Sequence, residues 1–166
     1  MVTGAGDAFS SIVAGLDYPM LVVTVASPAG RSGCLVGFST QSSIDPPRFL
    51  ICLSDKNHTY RVANAGATRL AVHLLGAGQE ELAKLFGEET GDDVDKFARC
   101  GWQEGPDGVP VLDDAAAWFS GPILERHRTG DHVAYLIEID AAEHRDRSAT
   151  YLDFQAVRDM EPGHEA

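Results

Sequence analysis

Two periodicities of apolar and polar positions run along this chain, and the shorter one, that of strands, dominates. Met20 to Ala26 (MLVVTVA) is a continuous apolar, β-branched run, followed by the turn Ser27-Pro28-Ala29-Gly30 and a second strand-like run from Ser32 to Phe38. Two such runs around a Pro/Gly turn predict a β-hairpin. After the Pro46-Pro47 break, Arg48 to Leu53 predicts another apolar strand. A short helix ending near Gly66 precedes one more, Thr68 to Leu75 (TRLAVHLL). Two longer runs, Ala115 to His127 and His132 to Ala142, flank Arg128-Thr129-Gly130-Asp131, a compact turn whose glycine can supply positive φ. They predict a second hairpin.

The helical period stands out in QEELAKLF, residues 79 to 86. Leu82, Leu85 and Phe86 fall at i, i+3 and i+4, with Glu80, Glu81 and Lys84 on the other side, so an amphipathic helix should pack on one end of a sheet. Gly87 to Asp95 is acidic and contains glycine, the pattern of a mobile loop or short helical turn. The polar end of the chain, from about residue 158 and with Pro162 and Gly163 in it, is expected to fray. Many strands, short turns and a few inserted helices, without parallel βαβ alternation, predict a mainly β chain folded as a closed or partly closed antiparallel barrel.

Composition adds limits. At 166 residues, 44% hydrophobic and 23% charged, the chain reads as one domain over 1–166 that can bury a core. Acidic residues outnumber basic ones by 25 to 13. The resulting charge of −12 excludes nucleic acid and anionic membrane surfaces as expected partners, while a local cation cluster can still hold a small anion. Cys34, Cys52 and Cys100 are odd in number and widely spaced, suggesting neither a disulfide framework nor a zinc site. The start, MVTGAGDAF, has no basic region followed by an apolar stretch, and no run reaches membrane-spanning length, so a cytoplasmic location is expected.

Several chemistries find no support. No GxSxG elbow surrounds a serine, and Ser39 lies in GFST. The histidines, His58, His73, His127, His132, His144 and His164, form no HExxH-type pair, so no protein-held metal is expected. Gly4-Ala5-Gly6 lacks the third glycine and preceding strand of a Rossmann fingerprint. Any enzyme reading then rests on a bound organic cofactor.

The stretch DPPRFLICLSDKNHT, Asp45 to Thr59, carries the strongest candidate site. An apolar strand stops at Leu53, a helix begins near Asn57, and Ser54, Asp55, Lys56, Asn57 and Thr59 crowd the junction. Helix-start N–H groups with hydroxyls, an amide and a lysine can hold a phosphate. The alternative is that Ser54, Asp55 or Asn57 caps the helix and Lys56 is solvated.

An ordered string of motifs resembles the flavin reductase-like, FMN-binding split-barrel family from about Phe9 to Phe154. It comprises the strand Gly33 to Phe38, STQSSIDPP, KNHT, GQEELAKLFG, Asp95-Lys96-Phe97, GPDGVPVLDDAAAW and the turn GDH. The resemblance implies an antiparallel split β-barrel of Greek-key type with a few inserted helices. It implies FMN, or alternatively FAD, with NADH or NADPH as donor, and hydride transfer to the flavin. A monooxygenase accepting reduced flavin and a homodimer are also implied, the alternative being a flavin-binding carrier without nicotinamide chemistry. Carried over by position, Val36, Gly37, Phe38, Ser39 and Thr40 face the isoalloxazine, Leu53 and Ser54 flank it, and Lys56, Asn57 and Thr59 hold the phosphate. His132, in the GDH turn, orients nicotinamide or flavin. A surface strand-start histidine and a core aromatic are the alternatives for His132 and Phe38. His73, inside an apolar strand where such relatives commonly have Asn, reads as a hydrogen-bonded structural residue. The positions Asp17-Tyr18-Pro19 and Gly37-Phe38 depart from the common family pattern.

Overall fold

Both predicted hairpins form. The computed structural model describes residues 4–163. It opens with a helix absent from the sequence reading, α1 (Ala5–Ala14), which buries none of its residues. β1 (Leu21–Ser27) and β2 (Gly30–Val36) then pair antiparallel, Leu21 opposite Val36 and Ser27 opposite Gly30. Next come β3 (Ser39–Ser43), β4 (Arg48–Ser54), α2 (His58–Asn64), β5 (Arg69–Leu74) and α3 (Glu80–Gly87). A small hairpin of β6 (Trp102–Glu104) and β7 (Pro110–Leu112) follows, then β8 (Ala117–Arg128), β9 (His132–Glu138), β10 (Ala141–His144) and α4 (Phe154–Val157). In the turn between β8 and β9, Gly130 takes φ +139° and Thr129 N donates to His132 O at 2.9 Å, so the expected need for glycine is met there.

The strands line up as β2-β1-β5-β8-β9-β4-β3, with β10 also paired to β8. β8 spans twelve residues and turns the corner: Ala117 to Pro122 pair with β5, whereas Ile123 to Arg128 pair with β9, with a register shift between Ile123 and Glu125. The two ends of the path, β2 and β3, are separated in the chain by only Gly37 and Phe38. The sheet must therefore curl until its edges meet, and at that seam Cys52 N donates to Phe38 O at 2.9 Å. The molecule is mainly β, a curled antiparallel half-barrel with few helices, as the sequence predicted.

The unbroken apolar run of β1 has a simple cause. Leu21, Val23 and Val25 point into the barrel core with Ile51, Leu53, Val72, Tyr135 and Ile137. Val22 faces the opposite way, joining Leu85 and Phe86 of α3, Leu75, Phe97 and Leu112 in a second core. A strand buried on both faces reads as continuous hydrophobicity instead of alternation. His73 belongs between them: it is fully buried, its Nδ1 lies 2.9 Å from Val22 O, and its Nε2 accepts from Leu112 N at 3.1 Å.

Several expectations are corrected. The strand expected to reach Phe38 stops at Val36, because Gly37 and Phe38 make the corner into β3. The run His132 to Ala142 splits after Glu138; Asp140 N donates to Ser120 O and the chain returns as β10. Over residues 158–163, where fraying is expected, Met160 packs against the second core and Gly163 N donates to Gly87 O at 3.1 Å. Residues 164–166 of the expected frayed end, His164 among them, lie outside the described residues, as do the first three residues of the start. After α3 ends at Gly87, residues 88–95 run as turns and loop, in line with the loop expected there, with Asp92 paired to Arg61 and Glu89 to Arg99.

Candidate functional site

Where the barrel edges meet, they leave a cleft of about 370 Å³. Its floor is the end of β2 and the corner residues, Val36, Gly37 and Phe38; one side is the end of β4, Leu53 and Ser54; Asn57 stands at one end and His132 at the mouth. The size falls within the usual range for small-molecule sites. Register explains the grouping, since Ser54 lies opposite His132 on β9. The Phe38 and His132 rings sit 5.0 Å apart, tilted by 51°, and His132 Nδ1 is 2.7 Å from Asp131 Oδ1. Hydrogen bonding to His132 holds the Asp131 carboxyl below its ordinary range.

The opposite wall comes from the ends of the chain. Tyr18 and Phe154 stack with centroids 4.9 Å apart and planes 10° apart, anchored by Phe154 N donating to Tyr18 O at 2.8 Å. Met20, Val157 and Met160 extend this apolar surface, and Arg158 lies beside it. A Cβ on Gly37 would lie 2.9 Å from Tyr18 Cε2 and 3.2 Å from Met20 Sδ, so only glycine leaves that wall in place. This wall was not read from the sequence. Tyr18 stands among the positions that depart from the family pattern and Phe154 at the end of the resemblance, but no local signal places residues so far apart in sequence side by side.

At the polar end Asn57 caps α2, its Oδ1 accepting from Thr59 N at 2.9 Å. Capping by Asn57, the alternative raised for this junction, is what the geometry shows. Ser54 Oγ accepts from Lys56 N at 3.4 Å. Thr59 is fully buried, with its hydroxyl 2.9 Å from Ser32 Oγ, behind the junction instead of in the cleft. Lys56 lies exposed on the turn beyond Ser54, and Ser39 and Thr40 lie on β3 outside the cleft lining. The cleft thus gathers Val36, Gly37, Phe38, Leu53, Ser54, Asn57 and His132, and leaves Ser39, Thr40, Lys56 and Thr59 at or behind its edges.

The electrostatics favour an uncharged or anionic occupant. No aspartate or glutamate among the described residues lines the cleft, in a chain of net charge −12. Cys34 and Cys52 also line it. Burial pushes both thiols up, opposed at Cys34 by hydrogen bonds from Thr59 and Asn57 and by the charge of Lys96, so neither offers a thiolate nucleophile. Among the described residues no group of His, Cys, Asp and Glu is placed to hold a metal, and no helix is long and apolar enough to cross a membrane. The cleft has aromatic walls, a glycine floor and one polar end. It suits a planar, largely apolar ring system with a polar tail, and such a ring must bring the reactive group itself.

The curled antiparallel half-barrel with a cleft at its seam defines the class of β protein, and comparison with known proteins gives the family. The family described as "Flavin reductase like domain" matches residues 13–159, and the chain belongs to that family. It is 33% identical over 120 residues to FMN reductase (NADH) RutF of Methylorubrum extorquens, covering 72% of this chain and 58% of that protein. It is 33% identical over 134 residues to the reductase component of 4-hydroxyphenylacetate 3-monooxygenase of Salmonella typhimurium, covering 80% of this chain and 76% of that one. Among solved structures, the FMN-binding protein of Thermus thermophilus with bound 1-cyclohex-2-enone superposes with a TM-score of 0.73 at 28% identity, over 79% of this chain and 72% of that chain. The chain spans 42%, 58% and 51% of the length of three of its curated relatives.

Proposed function

We propose that this chain is an NAD(P)H-dependent flavin reductase, taking FMN or FAD into the seam cleft and a nicotinamide on top of it. The observation that carries the reading is the cleft itself, with its aromatic walls, its Gly37 floor and His132 tilted against Phe38 at the mouth. Family membership and the names of the relatives support it.

When bound, the flavin supplies the hydride-accepting group. The work of the chain is binding and positioning. Tyr18, Phe154 and Phe38 exclude water from the ring faces they cover, while Val36, Gly37, Leu53 and Ser54 set its position and Ser39 and Thr40 support the corner from β3 beyond the cleft lining. Lys56, Asn57 and Thr59 form the phosphate end, Lys56 and Asn57 by direct contact and Thr59 by fixing the start of α2 through Ser32. His132, held by Asp131, orients the nicotinamide beside Phe38. No side chain acts as a covalent catalyst.

The assembly belonging to this reading is a homodimer in the cytoplasm that passes reduced flavin to a monooxygenase. Exposed apolar side chains support the dimer: Phe9 (65%), Ile12 (66%) and Leu16 (51%) on and after α1, with Ile44 (85%). Sizing chromatography with light scattering tests it, and a monomer at micromolar concentration refutes it. For the activity, purified protein is mixed with FMN or FAD and NADH or NADPH, and nicotinamide absorbance is followed against a protein-free control. Oxidation above the control with one donor is expected. Its absence with both refutes the reductase, and flavin binding without oxidation identifies a carrier.

A further inference from the structure

The seam cleft has two polar places, and the flavin accounts for one of them, the Asn57 end. The other is Arg158, on the wall built by the chain ends, beside Phe154 and Val157. Among the described residues it is the only lysine or arginine that lines the cleft, and no aspartate or glutamate lining it offsets the charge. In a chain of net charge −12, such a permanent cation acts at short range on any anion that enters.

Gln155 orients the guanidinium. Its Nε2 donates to Leu16 O at 2.8 Å and to Ala14 O at 3.3 Å, at the end of α1, which turns its Oε1 to accept from Arg158 Nη1 at 3.2 Å. Gln155 N is itself tied to Asp17 Oδ1 at 3.1 Å, and Asp153 Oδ1 caps α4 by accepting from Ala156 N at 3.1 Å. Asp159 does not neutralise the cation: its carboxylate is 4.0 Å from Arg158 Nε, beyond hydrogen-bonding distance, and fully exposed, so solvent screens it. A guanidinium has five N–H donors in a planar fork, and one of them serves to position it here. Such a fork matches phosphate oxygens in pairs.

A flavin ring laid against Tyr18 and Phe154 brings no phosphate to that wall, because its phosphate belongs at the Asn57 end. The second ligand carries one: a nicotinamide dinucleotide stacked over the flavin has a diphosphate. We propose that Arg158 binds the diphosphate of the nicotinamide donor, and so makes this protein prefer a dinucleotide over a bare dihydronicotinamide ring. This rests on the reductase reading of the cleft.

The test compares wild type, Arg158→Ala and Arg158→Lys, with FMN as the flavin. The donors are NADH and 1-benzyl-1,4-dihydronicotinamide, which has the same reacting ring and no phosphate. The side chain is 57% exposed, so its truncation leaves the fold in place. In Arg158→Ala the KM for NADH should rise about tenfold relative to that for the benzyl donor, the worth of one charge-assisted hydrogen bond. The Kd of the FMN-loaded protein for NAD+, read by calorimetry without turnover, should weaken by the same factor, and Arg158→Lys should recover part of both. Equal rises in KM for the two donors overturn the proposal, since Arg158 then only shapes the wall. A loss of affinity for FMN larger than that for riboflavin also overturns it, assigning Arg158 to the flavin phosphate, and so does an unchanged variant. Wild type that oxidises neither donor overturns the reductase reading and this inference with it.

Discussion

His73 should make this protein lose stability on mild acidification, and the structure sets the size. Leu112 N can only donate, so Nε2 must be an unprotonated acceptor, and Nδ1 then carries the proton and donates to Val22 O. Protonating Nε2 would set one N–H against another inside the core. Burial, reinforced by the charge of Arg145 and opposed by the Val22 carbonyl, pushes the imidazole down from 6.5 to about 4. The folded-state value lies below the unfolded one, so above pH 6.5 neither state binds this proton and the full stability is present. As pH falls from 6.5 towards 4 the unfolded chain takes up the proton and the folded one does not, and about 3 kcal/mol is lost. The assay is urea unfolding of wild type and His73→Asn at half-unit intervals from pH 8 to 4.5. The variant should be weaker at pH 8 by about 1–3 kcal/mol, because it disturbs two buried hydrogen bonds, but the difference should shrink as pH drops. Carboxylates titrate alike in both proteins and cancel. Parallel curves would refute the argument.

Lys56→Ala combined with Asn57→Ala should weaken FMN about tenfold more than riboflavin, which lacks the phosphate, and equal weakening would count against the phosphate assignment. Gly37→Val should drive a side chain into Tyr18 and Met20, displace Tyr18 from Phe154 and lower flavin affinity by at least about tenfold, with the far-ultraviolet circular dichroism spectrum unchanged. Arg69 pairs with Asp107 and Asp140 and donates to Ser120 Oγ at 3.1 Å, and its side chain is 10% exposed against 60% and 50% for the two carboxylates. Because solvent screens the acidic partners, Arg69→Met should cost about 1–2 kcal/mol in chemical denaturation, less than breaking a fully buried pair.

How much was legible differs from element to element. β1, β2, β4, β5, β8 and β9 announced themselves because each is long and buries at least one face. α3 did so because Leu82, Leu85 and Phe86 form one stripe. β6, β7, β10 and α4 are three or four residues long, too short to carry a period. α1 buries nothing, so no face of it reads as core. In the candidate site, the junction after Leu53 was visible because a strand end, polar residues and a helix start follow one another directly in the chain. Tyr18 and Phe154 were not, because a stacked pair 136 positions apart leaves no mark in either neighbourhood.

The amino-acid sequence alone determined the antiparallel β class, the two hairpins, the structural part of His73 and the family to which the motif string belongs. These follow from local periodicity, turn chemistry and motif order. The tertiary structure decided that the sheet curls until β2 and β3 meet, that the chain ends form one wall of the seam cleft, and that Thr59 lies behind it. Those outcomes depend on which distant surfaces bury one another, and that is settled by packing over the whole chain, which no short window of sequence contains.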